Sequence, residues 1–248
     1  EAEIEKNEEP MRSNDLMRIA ERLIDIGEIE VAKSYLDKIK ELSGSRKNNQ
    51  SRALAEIGDY DAAIEVVKDE RVKYAYYEAS FAKVDRQIKS GNRESALKLL
   101  EQIEKELLEN KGRSGKLENL IKVIGYYSKL GEALKAEQLA DWIYDKIKNK
   151  EFSGLSYEKI PAAYRAAGKL DEARKIMQDD VIIRYTKSCS SVSDEENGQY
   201  AEEMARLGMV EEYHSVIERI CSPAQKSEAW IAVYKALIET EYPLPDIN

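Results

Sequence analysis

The sequence predicts an all-α fold: a right-handed superhelix of about six antiparallel helix hairpins plus a C-terminal capping helix. A short phrase recurs along the chain, an apolar run, a glycine, two or three polar residues and then an alanine. The glycines of these phrases stand at 27, 58, 91, 131, 168 and 208, in steps of 31, 33, 40, 37 and 40 residues. That is the period of a helical repeat array. Each glycine also separates two stretches with apolar residues at helical spacing. Leu16, Ile19, Ala20 and Leu23 precede Gly27, and Ile29, Ala32, Leu36 and Ile39 follow it.

The phrase has a physical logic. Glycine reaches the left-handed backbone conformation that ends a helix without a Cβ clash. The polar residues that follow (Glu28, Asp59, Asn92, Glu132 and Lys169) start the next helix, and acidic ones there suit the positive end of its dipole. Five residues after glycine come Ala32, Ala63, Ala96, Ala136 and Ala173, with Tyr213 in the sixth copy. Alanine at that place marks a close helix crossing, so each unit is a hairpin with a small-residue contact.

These offsets resemble the tetratricopeptide repeat. Tyr60, Ala63 and Val67 stand two, five and nine residues after Gly58, and Leu170, Ala173 and Met177 stand likewise after Gly168. On the first-helix side, Leu16, Ile19, Ala20 and Leu23 match before Gly27, and Tyr157, Ile160 and Tyr164 match before Gly168. Pro161 departs from the pattern where a small residue belongs, as do Lys47 and Gln50 where apolar ones belong, and some repeats lengthen to 40. The resemblance covers about residues 14 to 240. It implies a stack whose first helices line a concave face and whose second helices line the outer one.

In order, residues 1–12 read as a disordered or frayed charged lead-in, 13–241 as a single α-solenoid and 242–248 as an extended tail. Ser13 or Asn14 caps a first helix over about 15–26, and its partner runs to about 42. The polar run 43–49 reads as a loop, followed by short helices over about 50–57 and up to Val67. Arg71 to Lys89 and 92–110 form the third pair. The turn at 111–116 has lysine and glycines, but not the spacing or preceding strand of a phosphate loop.

The fourth pair spans about 116–149. Ser156 caps the fifth, whose second helix starts near Lys169 and continues through 181–185. Ser193-Asp194-Glu195-Glu196 reads as a capping box. Ser222-Pro223 opens a last helix, with proline in its first turn. That helix carries Trp230, Ile231, Val233, Tyr234 and Leu237.

Composition narrows the function classes. The 248 residues hold 39 Lys plus Arg against 48 Asp plus Glu, for a net charge of −9, which argues against general nucleic-acid binding and against docking on anionic lipid. No apolar run approaches the roughly 20 residues of a membrane helix. One histidine, His214, and two cysteines, Cys189 and Cys221, with no CxxC, give no metal site. The cysteines read as free thiols of a reducing cytosol, with a disulfide between neighbouring helical pairs as the alternative; the location reads as cytoplasmic, with an extracytoplasmic site after leader removal as its alternative. His214 reads as an exposed or structural residue, because no nucleophile or cleft accompanies it. The chain therefore reads as no enzyme, with no cofactor and no catalytic residue.

Candidate contacts are the polar and aromatic residues off the core stripe of the first helices. They are Glu21, Asp25, Arg52, Tyr77, Asp85, Lys89, Lys122, Tyr126, Arg165, Glu202 and Arg206. Fifteen tyrosines stand against two phenylalanines; of Tyr74, Tyr76 and Tyr77, at least one must leave the core stripe of its helix, to be buried against the neighbouring pair or, as the alternative, exposed on a binding surface. The places where some tetratricopeptide proteins grip a terminal carboxylate hold Glu21, Arg52, Asp85, Gly125, Ala162 and Glu202 here, without the asparagines of that device. The expected function is a non-catalytic scaffold holding a protein or peptide in its groove, with a regulatory or sensor domain of a larger enzyme or transcription regulator as the alternative. The last helix offers a surface for a homo-oligomer.

Overall fold

The structure is a computed structural model describing residues 2–39, 45–69, 74–109, 115–151, 157, 159–181 and 191–241. All regular elements among them are helices: α1 (Ala2–Asp25), α2 (Ile29–Leu36), α3 (Ser45–Glu56), α4 (Tyr60–Val67), α5 (Tyr74–Lys89), α6 (Arg93–Glu109), α7 (Lys116–Lys129), α8 (Ala133–Lys148), α9 (Lys159–Ala166), α10 (Leu170–Ile176), α11 (Ser191–Arg206), α12 (Val210–Glu218) and α13 (Pro223–Glu241). Beyond α10, Met177–Val181 widens into a π-turn. The chain divides into two compact units, Glu1–Glu106 and Leu107–Asn248.

The repeating phrase folds as its residues require. All six phrase glycines have φ between 72° and 85°. At Gly58 the purpose is visible: its amide donates to the Ala55 carbonyl at 3.0 Å and the Asp59 amide to the Leu54 carbonyl at 2.9 Å. This closes α3 with a left-handed cap. Asp59 then caps α4 by accepting from the Ala62 amide at 3.3 Å. The five alanines of the phrase are all fully buried, and Tyr213 nearly so. The five alanines thus lie inside the packed core, as a close helix crossing requires.

In the first unit α1 packs on α2, α3 on α4, and the first helices α1, α3 and α5 pack in succession. Their core joins Met17, Ala20, Ile24, Leu36, Ala53 and Leu54. In the second unit the hairpins are α7–α8, α9–α10 and α11–α12; α7 also packs on α9, and α13 on α11. Leu120, Ile124, Tyr127, Ile143 and Ile160 are buried there. Burial of this kind, at roughly 25 cal/mol per Å² of apolar surface, holds the hairpins together.

Several boundaries differ from expectation. α1 is helical from Ala2, so Ser13 and Asn14 lie within it rather than capping it; Glu, Ala and Lys are strong helix formers even where few apolar residues accompany them. α3 starts at Ser45, so most of the expected 43–49 loop is helix. Gln50 is buried on α3, at a place where the repeat wants an apolar residue. Ile19 is 41% exposed, the core stripe running through Met17, Ala20 and Ile24 instead. α11 begins at Ser191, so Ser193 is not its cap. The Ser156 cap, the 111–114 part of the turn, residues 182–185 and the tail 242–248 lie outside the described residues.

Candidate functional site

The candidate contacts fall on one row of first helices in each unit. In the first unit, Glu21 and Asp25 of α1 are exposed, as is Lys89 at the end of α5, and Asp85 is half-buried. Arg52 on α3 reaches α5: its Nε donates to Glu78 Oε2 at 3.1 Å. Its guanidinium lies 5.7 Å from the centre of the Tyr74 ring, within cation–π range. Tyr74 is 58% exposed, and its hydroxyl donates to Glu78, which raises the phenol pKa. Arg52, Glu78 and Tyr74 therefore form an exposed cluster joining two first helices.

Tyr77 is not a surface contact. It is buried and meets the Tyr76 ring edge-on, with centroids 5.3 Å apart. The reason is the position of α5, which packs on both α3 and α4 and so buries an arc wide enough for two consecutive tyrosines. The Tyr76 hydroxyl donates to Glu106 Oε1 at 2.7 Å, and burial followed by that bond pushes its pKa up. The residue left exposed from the tyrosine cluster is Tyr74.

In the second unit, Lys122 on α7 is exposed, and Tyr126 is half-buried with the Lys129 ammonium 5.3 Å from its ring centre. The other three candidates turn toward neighbouring helices. Arg165 of α9 forks onto Glu203 of α11, Nε to Oε1 at 2.6 Å and Nη2 to Oε2 at 3.1 Å. Glu203 is almost wholly buried. Arg206 of α11 pairs with Glu202 at 2.7 Å and with Glu239 of α13 at 3.2 Å. These arginines staple α9 to α11 and α11 to α13, so their charge is already committed within the fold.

Their acidic partners leave no mark in the sequence, because these contacts join residues 33 and 38 positions apart. Two other features are likewise not legible in the sequence. Both carboxylate oxygens of buried Asp194 accept backbone amides, from Cys221 at 3.1 Å and Ser222 at 2.9 Å. Ser222 in turn caps α13 by accepting from the Gln225 amide at 3.4 Å, as its Ser-Pro signal predicted. The Trp142 ring has the ammonium groups of Lys116 and Lys146 each 5.7 Å from its centre. Burial lowers the Lys116 pKa, and Lys146 adds to the effect.

The remaining expectations concern chemistry. His214 is exposed and stacks on Tyr213, with centroids 4.8 Å apart, while Trp230 meets it edge-on at 4.9 Å. Among the described residues no three His, Cys, Asp or Glu side chains converge as metal ligands would. Among the described residues no helix is long and apolar enough to cross a membrane. Cys221 is disulfide-bonded, which corrects the expectation of free thiols. The sequence has one other cysteine, Cys189, which lies outside the described residues. No protein-family model matches the sequence, and no curated protein matches it.

Proposed function

We propose that the chain is a non-catalytic scaffold of tetratricopeptide-like hairpins that holds a protein segment along its rows of first helices. The observation that carries this is the packing of first helix on first helix within each unit. Such packing aligns the off-core faces of successive hairpins and makes a surface that runs across several helices, suited to an extended or helical peptide. Glu21, Asp25, Arg52, Tyr74 and Lys89 supply polar and aromatic contacts on one row, and Lys122 and Tyr126 on the other. Asp85 stands beside them, while Arg165, Glu202 and Arg206 act mainly by holding the helices in register. Mixed charge on these rows favours a neutral to basic partner whose binding weakens moderately with salt.

The disulfide at Cys221 supports the extracytoplasmic alternative over a reducing cytosol, since such bonds persist in oxidising compartments. The test of the scaffold is affinity capture from native lysate with wild type beside Lys122→Glu/Tyr126→Ala and Glu21→Lys/Asp25→Lys. A protein retained by wild type and lost by a variant with an unchanged melting curve supports the reading. Equal retention by all three sinks this placement of the contact surface.

A further inference from the structure

The outer face of α13 is apolar and uncovered. Ile231, Tyr234 and Ile238 are 56%, 69% and 43% exposed; they recur at three- and four-residue spacing, and Ala224, two turns before Ile231, falls on the same helical stripe. The buried stripe of the same helix, Ala229, Val233 and Ala236, lies on the opposite side toward α11. The charges of α13 also divide in two. Lys226 pairs with Glu218 and Glu239 with Arg206, both within the fold. Glu228 and Lys235 are exposed, flank the apolar stripe and form no ion pair among the described residues.

We infer that this face pairs with the same face of a second copy of the chain, with the two α13 helices antiparallel about a two-fold axis beside Ile231. The charge pattern selects this occupant. In an isologous contact each residue meets its counterpart reciprocally. With the axis at Ile231, that residue packs on itself and Ala224 lies level with Ile238 of the second copy. Glu228 then comes level, to within one residue, with Lys235 of the second copy, and the pair forms twice. A parallel pairing would set Glu228 level with Glu228 and Lys235 level with Lys235, on opposite sides of the contact, so neither would meet an opposite charge. The contact uses none of the residues named for the first-helix rows. Two crossed helices bury less than a standard interface, so the dimer is weak, with a Kd of about 10–100 µM.

The experiment is sedimentation equilibrium on the full chain over a range reaching about 500 µM, several times that Kd. Circular dichroism confirms the fold of each variant, which exposed substitutions leave intact. Wild type is expected to show a monomer–dimer equilibrium that Ile231→Glu abolishes. Glu228→Lys and Lys235→Glu each weaken it about tenfold, because two attractive pairs become repulsive. The double variant Glu228→Lys/Lys235→Glu restores it to within about threefold, since the swapped pair is again complementary. A wild type that stays monomeric overturns the inference. A dimer that survives Ile231→Glu, or one that the double variant fails to restore, overturns it equally.

Discussion

Replacing Arg165 with methionine separates a residue that holds the fold from one that waits for a ligand. The Glu203 side chain is 7% exposed and that of Arg165 30%, with both guanidinium contacts near 3 Å. At an effective dielectric of about 20, charges at that distance attract by about 5 kcal/mol before any discount. Water reaching nearly a third of the arginine screens this to about half. Arg206, which also acts on Glu203, recovers a further part. The expected loss for Arg165→Met is therefore about 2 kcal/mol, mostly the penalty of leaving a buried carboxylate without its partner. For a unit of roughly 140 residues that lowers the Tm by about 4–8 °C. The assay is differential scanning calorimetry at neutral pH and low salt. Arg165→Met/Glu203→Met removes both charges and should return to within about 1 kcal/mol of wild type. A silent single variant, or a double variant no more stable than the single, would refute the account of this pair.

Other expectations follow from single residues. Lys150 closes α8 with φ of 58°, so Lys150→Gly should raise stability by about 1 kcal/mol, read as a higher urea midpoint. Gly131→Ala should lower it by about the same amount: φ is 76°, and an added Cβ would meet nothing within 4 Å, leaving backbone strain as the whole effect. Asp59 is held below the usual carboxylate pKa first by the hydrogen bond from Lys33, at 2.8 Å, against an opposing effect of burial. A lowered folded-state pKa means the pair stabilises above the unfolded value of about 4 and is lost as pH falls through the folded one. The gap between wild type and Asp59→Asn in thermal melts should therefore be full at pH 6 and close in acid; a gap that widens in acid would reverse the sign. Reducing the Cys221 disulfide should add about 2 Da to the intact mass and lower stability by about 3 kcal/mol, and a mass unchanged by reductant would count against the bond.

What was legible in the sequence was whatever local chemistry repeats. The glycine junctions could be read because a left-handed backbone leaves a residue-level mark, and the alanine five places on because a close crossing tolerates little else. The candidate surface was harder. Tyr77 and Tyr74 are alike in the sequence, and only the double packing of α5 decides that one is buried and the other lies under Arg52. Arg165 and Arg206 have the periodicity of surface residues, yet their partners come from other hairpins. Ser193-Asp194-Glu195-Glu196 looked like a local cap because the true donors to Asp194 stand 27 and 28 residues downstream. The exposed run of α13 was visible as residues but not as a face, since Ile231 and Val233 differ only in which side of the helix they occupy.

Asp194 bears on where the chain can be shortened. Its carboxylate, 3% exposed, has both oxygens filled by the amides that introduce α13. A chain cut after Ile220 would not merely lose a terminal helix. It would strand a buried carboxyl group inside α11, uncover Gly198 where Ala229 of α13 packs, and remove the Glu239 carboxylate that Arg206 reaches on α13. The last helix is in this respect part of the hairpin before it and not a detachable lid. Ending the protein there would be felt two helices upstream, and the shortest stable truncation from this end would have to remove α11, α12 and α13 together.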